Sequence, residues 1–143
     1  MQTLNTLFVY GTLRRDFGHP LHDLLNNHFQ FIGKGSMKGD LFDIGSYPGV
    51  VSSKKSKCMV VGEIYIARDK KGIDSILKIL DEYEGYDKTS PAECEYVRTK
   101  KWVKLNTGVR RLSWLYLYNR SVENKKHIAG GDYIRYLAKN KQI

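Results

Sequence analysis

The sequence predicts a mixed α/β fold whose central sheet is either covered on both faces or curled into a barrel. Two segments, residues 59–66 and 112–118, carry apolar side chains on both faces, which is typical of interior strands. Helical patterns occur between and around these strands, and the 143 residues suit a single domain over residues 1–143. A chain of this length buries about two thirds of its unfolded surface, so no disulfide or metal is required for folding.

The N-terminal segments predict a strand, a tight turn and a helix. Residues 7–10 are apolar and end at Gly11, where successive backbone N–H groups would form a small concavity that suits an anion. A helical segment follows, with Pro20 near its first turn. Residues 29–32 predict a second strand, and residues 39–51, with three glycines and a proline, predict a short strand and an irregular loop.

A helix is predicted over residues 73–84, and one acid falls on its apolar side. The apolar stripe of this helix consists of Ile73, Ile76, Leu77 and Leu80. Glu84 follows Ile73 by eleven positions and so points within about 20° of it, whereas Glu82 points to the opposite side. Gly85 then ends the helix as a C′ glycine in the left-handed conformation. The pattern turns one carboxylate toward the core and leaves its neighbour in solvent.

An acid among apolar side chains loses hydration, and this loss favours the neutral form unless a partner compensates. Glu84 is therefore a candidate general base for use near neutral pH. The alternative is a helix that unwinds by Tyr83 and leaves Glu84 exposed or paired with Arg98. Glu63, in the strand at residues 59–66, is the second candidate carboxylate and would face either a cavity or the neighbouring turns.

The C-terminal half predicts further strands and a closing helix. Residues 87–93 form a polar loop, and residues 94–98 and 102–105 predict a strand pair with a basic kink between them. A turn at residues 106–108 then leads into the second interior strand. The closing helix follows two glycines and begins at Asp132, which is its expected N-cap.

Composition argues against several classes of function. The net charge of +9, from 24 Lys and Arg against 15 Asp and Glu, is scattered over predicted turns, which favours a solvated surface. A basic RNA-binding module with aromatic side chains on its strands stays open as an alternative. Cys58 and Cys94 lack a CxxC spacing and are expected to be unpaired thiols, and the four histidines lack zinc-helix spacing. Without a leader, a long apolar run or a nucleotide-binding glycine motif, we expect a cytoplasmic protein that uses no metal or cofactor.

Six short motifs occur along the chain and carry a family resemblance. They are VYGTLR at residues 9–14, GDLFDIGSYPGVV at 39–51, VGEIY at 61–65, LDEYEGYD at 80–87, YVR at 96–98 and GGDY at 130–133. Each motif is weak by itself, but the first and the fourth, about seventy positions apart, are specific as a pair. With these motifs the chain resembles the gamma-glutamylcyclotransferase-like family, which includes the AIG2-like proteins.

This resemblance implies a small curled mixed β-barrel flanked by a few helices, with a pocket between the YGTL turn and the acid of the EGY element. It implies that Tyr10, Gly11, Thr12 and Leu13 hold the gamma-glutamyl end of a small-molecule substrate. Glu84 would be the catalytic proton acceptor. The implied activity is cyclisation of a gamma-glutamyl amide or gamma-glutamylamine to 5-oxoproline with release of an amine, without a cofactor, a nucleic acid or a membrane partner. A member that binds such small acids without turning them over is the alternative.

Overall fold

The computed structural model describes residues 4–15, 17–53, 55–69 and 73–140, and within these ranges the chain forms eight strands and three α-helices. In chain order they are β1 (Thr6–Val9), α1 (His22–His28), β2 (Phe29–Lys38), β3 (Asp40–Asp43), β4 (Pro48–Val51), β5 (Met59–Ala67), α2 (Ile73–Glu84), β6 (Tyr96–Leu105), β7 (Arg110–Tyr118), β8 (Lys126–His127) and α3 (Tyr133–Asn140). A short 3-10 helix at Pro91–Glu93 precedes β6. None of the helices in the described ranges has the length and apolar character needed to cross a membrane.

Five strands close into a barrel in the order β1-β5-β2-β6-β7. Neighbouring strands are antiparallel except at the closure, where β1 and β7 pair in parallel through Leu7 and Trp114. The β2–β6 contact is short, and at Gly35 an added Cβ would lie 2.7 Å from the carbonyl oxygen of Lys104. The glycine therefore permits the close approach of these two strands. The predicted mixed fold with a curled barrel is confirmed.

A second, three-stranded sheet with the order β4-β3-β8 lies beside the barrel. The prediction for residues 39–51 was partly wrong, because the segment forms a hairpin of two strands joined by a turn at Gly45 (φ 141°). Gly49 lies within β4, where an added Cβ would come 2.7 Å from the Cβ of Tyr118. This glycine reflects tight packing of β4 on the barrel and not an irregular loop.

Strand β6 corrects a second expectation. The basic residues in its middle were predicted to kink the chain between two short strands, yet β6 pairs with β7 without interruption from Tyr96–Tyr118 to Lys104–Arg110. The side chain of Lys100 is exposed and lies over the ring of Trp114, with its Nζ 5.7 Å from the ring centroid. The side chains of a strand point to the two faces of the sheet, away from the hydrogen bonds between strands. Lysine side chains therefore do not interrupt the pairing of β6 with β7.

The helices follow the predicted patterns closely. The four apolar residues of the α2 stripe, Ile73, Ile76, Leu77 and Leu80, are all buried. Gly85 follows α2 with φ 74°, as a C′ glycine does. Helix α3 has its expected N-cap, since Oδ1 of Asp132 accepts a hydrogen bond from the backbone N–H of Arg135 at 3.2 Å. Helix α2 runs through Glu84, so the alternative in which it unwinds at Tyr83 is wrong.

Two apolar clusters share the strands of the barrel. One packs the barrel against α1 and α2, and it contains Leu7 and Val9 of β1. The other packs it against the small sheet and α3, and it contains Phe8 and Tyr10. Alternate side chains of β1 and of the next residue, Tyr10, therefore pack into different clusters. This strand leads into the turn at residues 11–14, called the glycine turn below.

Candidate active site

A cavity of about 300 Å³ opens where β1 ends and where α2 ends. All five residues predicted to form the site line this cavity: Tyr10, Gly11, Thr12, Leu13 and Glu84. The turn and the acid are about seventy positions apart in the sequence, and the fold brings them to one space because α2 packs against the barrel beside β1. A cavity of this size suits a small molecule.

The turn after β1 has a defined geometry. The backbone N–H of Arg14 donates to the carbonyl oxygen of Gly11 at 3.1 Å, which closes a four-residue turn. A Cβ at Gly11 would lie 2.7 Å from Cγ of Pro48, so the close approach of the turn to this proline requires glycine here. The hydroxyl groups of Thr12 and Tyr83 share a hydrogen bond of 3.1 Å, which links the turn directly to α2.

Glu63, the second candidate acid, supports the turn from behind. It is fully buried, and its Oε1 accepts hydrogen bonds from the backbone N–H of Arg15 at 2.8 Å and from the hydroxyl of Tyr65 at 2.9 Å. The Nε of buried Arg14 lies 3.8 Å from the other carboxylate oxygen, and its Nη1 donates to Asp132 at 2.7 Å. Of the two orientations left open for Glu63, it takes the one toward neighbouring turns and does not line the cavity.

Glu84 is the last residue of α2, and its carboxyl borders the cavity. Burial raises the pKa of Glu84 from 4.5 to about 7, and the nearby negative charge of Glu95 adds to this shift. In the described parts of the chain no group donates a hydrogen bond to the Glu84 carboxyl. The alternative partner, Arg98, instead holds Asp81 through two hydrogen bonds of 2.8 and 3.2 Å. Glu82 is exposed, as the helical pattern predicted.

Tyrosines form much of the remaining wall. The hydroxyl of Tyr10 donates to the carbonyl oxygen of Tyr116 at 2.6 Å, and the hydroxyl of Tyr96 donates to that of Pro48 at 2.6 Å. The hydroxyl of Tyr116 donates to Oδ1 of Asp81, also at 2.6 Å. Burial raises the pKa of all three phenols above the ordinary value, so they stay neutral. The hydroxyl donors of these three tyrosines are therefore committed to the framework.

Sequence reasoning missed several residues of this wall. Glu95 lines the cavity, and its Oε2 accepts a hydrogen bond of 2.6 Å from the hydroxyl of Tyr47. Tyr96 and Tyr116 also line it, from β6 and β7. Tyr96 opens the YVR motif and could have been found there, whereas Glu95 has no periodic pattern that distinguishes it from a solvent-exposed acid.

A possible metal-binding arrangement lies elsewhere, outside the cavity lining. Ligand atoms of Asp40, Cys58 and His127 come within 4.8 Å of one another among the residues that the structure describes. Nε2 of His127 lies 3.3 Å from Oδ1 of Asp40, and the same oxygen accepts a hydrogen bond from Ser56 at 2.9 Å. The His127–Asp40 contact, together with the hydrogen bonds that Ser56 makes to Asp40 and to the backbone N–H of Cys58, accounts for the grouping without an ion. Spacing could not reveal the cluster because its members come from three separate segments. Cys58 and Cys94 are both free thiols, as predicted.

Comparison with known proteins identifies relatives along nearly the whole chain. The chain matches the family described as Gamma-glutamyl cyclotransferase, AIG2-like, over residues 7–135. A protein of Methanocaldococcus jannaschii named "Putative gamma-glutamylcyclotransferase MJ1514" is 33% identical over 132 residues, which are 91% of this chain and 96% of that protein. The crystal structure of YkqA from Bacillus subtilis is similar with a TM-score of 0.72 at 25% identity, over 99% of this chain and 44% of that one. An AIG2-like protein from Mus musculus has a TM-score of 0.61 at 26% identity, over 85% of this chain and 82% of that one.

The matched region contains every element that lines the cavity. Residues 7–135 include the glycine turn, α2 and the strands that carry the tyrosine wall. The similarity in structure extends over the barrel and its helices, in agreement with the motifs found in the sequence. The chain therefore belongs to the Gamma-glutamyl cyclotransferase, AIG2-like family.

Proposed function

We propose that this protein cyclises a gamma-glutamyl amide or gamma-glutamylamine to 5-oxoproline and releases an amine. The names of the family and of its relatives support an activity of the gamma-glutamylcyclotransferase type. The observation that carries the finer proposal is a single one. Glu84, whose pKa is raised to about 7, borders the same small cavity as the glycine turn and has no hydrogen-bond donor from the described residues.

The proposed substrate carries its own nucleophile, so the enzyme has little covalent chemistry to perform. The alpha-amine of a gamma-glutamyl group can reach the gamma-carbonyl carbon and close a five-membered ring. Holding the chain curled in a small cavity converts this into a favourable intramolecular attack. The enzyme must then deprotonate the ammonium, since the cationic form has no lone pair.

Proton transfer through Glu84 balances the reaction. The ionised carboxylate takes a proton from the alpha-ammonium, and the free amine attacks the gamma-carbonyl carbon. The new ring C–N bond forms, and the tetrahedral intermediate then breaks the old amide C–N bond as protonated Glu84 gives its proton to the departing nitrogen. The second proton of the attacking nitrogen passes to the released amine. A group with a pKa near the working pH suits both directions of transfer, and such catalysis is worth about 10² to 10⁴ in rate.

The glycine turn would bind the anionic parts of the substrate. Backbone N–H groups of residues 11–13 can donate to the alpha-carboxylate or to the oxyanion of the tetrahedral intermediate, and each good oxyanion donor is worth about 10² in rate or more. Pro48 and Tyr96 also line the cavity and would help to keep the substrate near Glu84. The ring of Tyr10 would form part of the pocket wall beside the substrate.

The test compares two isosteric changes on the same helix. Glu84→Gln removes the proton acceptor, so we expect release of 5-oxoproline from a panel of gamma-glutamyl amides and amines to fall by about 10² or more. Glu82→Gln makes the same chemical change at an exposed position and should retain the wild-type rate. For the wild-type protein, kcat/KM should decline as the pH falls below about 7, because Glu84 becomes protonated.

Two results would remove the proposal. Equal loss in both variants would mean that Glu84 has no special role. A wild-type protein that binds gamma-glutamyl compounds, measured by calorimetry, but releases no 5-oxoproline from any of them would be a binding protein with this fold.

A further inference from the structure

The charges around the cavity are all of one sign. Among the described residues that line it, the ionisable acids are Glu84 and Glu95, and there is no lysine, arginine or histidine. The proposed chemistry uses one carboxylate only. The negative charge of Glu95 adds to the raised pKa of Glu84, and its position in the cavity lining also lets it meet a ligand directly.

Glu95 is held in place from two sides. Its carbonyl oxygen accepts a hydrogen bond from the backbone N–H of Asn119 at 2.7 Å, and its Oε2 accepts one from the hydroxyl of Tyr47 at 2.6 Å. This short hydrogen bond, with smaller effects of burial and charge, raises the pKa of Tyr47 to about 12, so the phenol remains a donor. Among the described residues, the positive charge of Arg120 acts against this rise in the pKa of Tyr47, and Arg120 does not line the cavity.

Tyr47 extends the aromatic wall toward solvent. Its ring centroid is 6.0 Å from that of Tyr96, which stands deeper in the cavity. Tyr47 and Tyr83 are both about two-fifths exposed, at 36% and 41%, so they border the entrance. A ligand group near Glu95 would therefore meet a carboxylate and the faces of aromatic rings, which together suit a cation.

We propose that Glu95 and Tyr47 form a subsite for a positively charged group on the amine that leaves. This inference rests on the proposed function, since it takes Glu84 and the glycine turn to hold the gamma-glutamyl half. The substrate class is then a gamma-glutamyl amide of a diamine or of another amine that keeps a second cationic nitrogen. Leaving groups that place a carboxylate near Glu95 are disfavoured, because none of the described residues that line the cavity is a lysine, arginine or histidine.

Three substrates of equal length test the charge alone. They are the gamma-glutamyl amides of diaminobutane, pentylamine and aminopentanoate, whose far ends are cationic, neutral and anionic. In the wild-type protein we expect kcat/KM to fall in that order, with the cation preferred over the neutral compound by about five- to tenfold. The preference should shrink at high ionic strength, since the Debye length falls from about 10 Å at 0.1 M to about 3 Å at 1 M salt.

Glu95→Gln removes the charge while its amide oxygen can still accept from Tyr47. The expected result is loss of the five- to tenfold preference for the cation over the neutral substrate. Any change in the pKa of Glu84 acts on both substrates alike, so the ratio reports the subsite. Glu93→Gln is the matched control, since Glu93 is exposed two positions away and does not line the cavity. Glu95→Lys should go further and favour the anionic substrate.

The outcomes separate the two proposals. Turnover of all three substrates at similar rates, or an unchanged ratio in Glu95→Gln, would overturn the subsite and leave the cyclisation standing. Absence of 5-oxoproline from every substrate would instead contradict the proposed function itself.

Discussion

Glu84 illustrates how a side chain beside a cavity can be both accessible and poorly hydrated. Its surface is partly accessible because it borders the cavity, yet burial is the main cause of its raised pKa. A carboxyl in a small space surrounded by tyrosine rings and apolar atoms has lost most of the water that would solvate its charge. The helix position sets this environment, since the next acid, Glu82, is exposed.

The same pKa shift predicts a pH-dependent stability. The pKa of Glu84 rises from 4.5 to about 7 on folding, so the folded state holds the proton more tightly. The stabilisation from this proton is complete below the unfolded value and is lost as the pH rises through about 7. Glu84→Gln stays neutral, and its free energy of unfolding relative to wild type should increase by about 1–3 kcal/mol between pH 5 and pH 8.

Urea denaturation of the two proteins at both pH values measures this difference. Glu82→Gln provides the control, since an exposed acid should give no such gain. A Glu84→Gln variant with the same relative stability at pH 5 and pH 8 would contradict the desolvation of this carboxyl.

Among single residues, the sequence predicted the position of Glu84 and missed that of Glu95 and Tyr47. The helical angle of Glu84 relative to Ile73 follows from regular geometry, and the inward direction was therefore predictable. Glu95 falls within the predicted strand at residues 94–98, but it alternates with the buried residues Cys94 and Tyr96, and this pattern predicts a side chain that points away from the core. Its partner Tyr47 is 48 positions away in a turn, so only the folded chain brings the pair together.

Among the elements, the turn after β1 depends on strand β5. Glu63 accepts a hydrogen bond from the backbone of the turn and faces the guanidinium of Arg14, and both side chains are at most 2% exposed. Such buried charges are stable only while they are paired. The turn that lines the cavity is consequently as rigid as the ion cluster behind it.

Glu63→Gln should therefore lower stability and weaken the turn. The change removes the charge that faces Arg14 at 3.8 Å but leaves Arg14 paired with Asp132 at 2.7 Å, so we expect a loss below the about 3–5 kcal/mol of a buried pair that is broken completely. Chemical denaturation measures this loss, and Glu123→Gln, in an exposed loop, should change stability by less than about 0.5 kcal/mol. Equal stability of the two variants would show that the Arg14–Glu63 contact contributes nothing.

The elements that were predicted incorrectly share one physical cause. The glycine in β4 and the lysines in β6 have low strand propensity, yet both segments form strands because neighbouring strands supply the backbone partners. Helix α2 was predicted almost to the residue, because its signal is contained within twelve consecutive positions. Local patterns could be inferred from the sequence, and the pairing of distant segments could not.

At the scale of the whole molecule, the fold joins an N-terminal turn and a C-terminal segment behind the candidate site. Asp132 precedes α3 and binds Arg14, 118 positions earlier. The residue before it, Gly131, accepts a hydrogen bond through its carbonyl oxygen from the backbone N–H of Val61 at 2.7 Å. The C-terminal GGDY segment thus holds both the strand that carries Glu63 and the turn that borders the cavity.

Gly131 makes this junction testable. Its φ of 70° is left-handed, and an added Cβ would clash with the carbonyl oxygen of Met59, which belongs to the backbone and cannot rotate away. Gly131→Ala should therefore lower the free energy of unfolding by at least about 2 kcal/mol and reduce turnover by displacing Asp132 from Arg14. Gly130→Ala is the matched control, since a Cβ there meets nothing within 4 Å. Denaturation curves and turnover rates of both variants test this prediction. Equal effects of the two substitutions would mean that the GGDY segment does not stabilise the site.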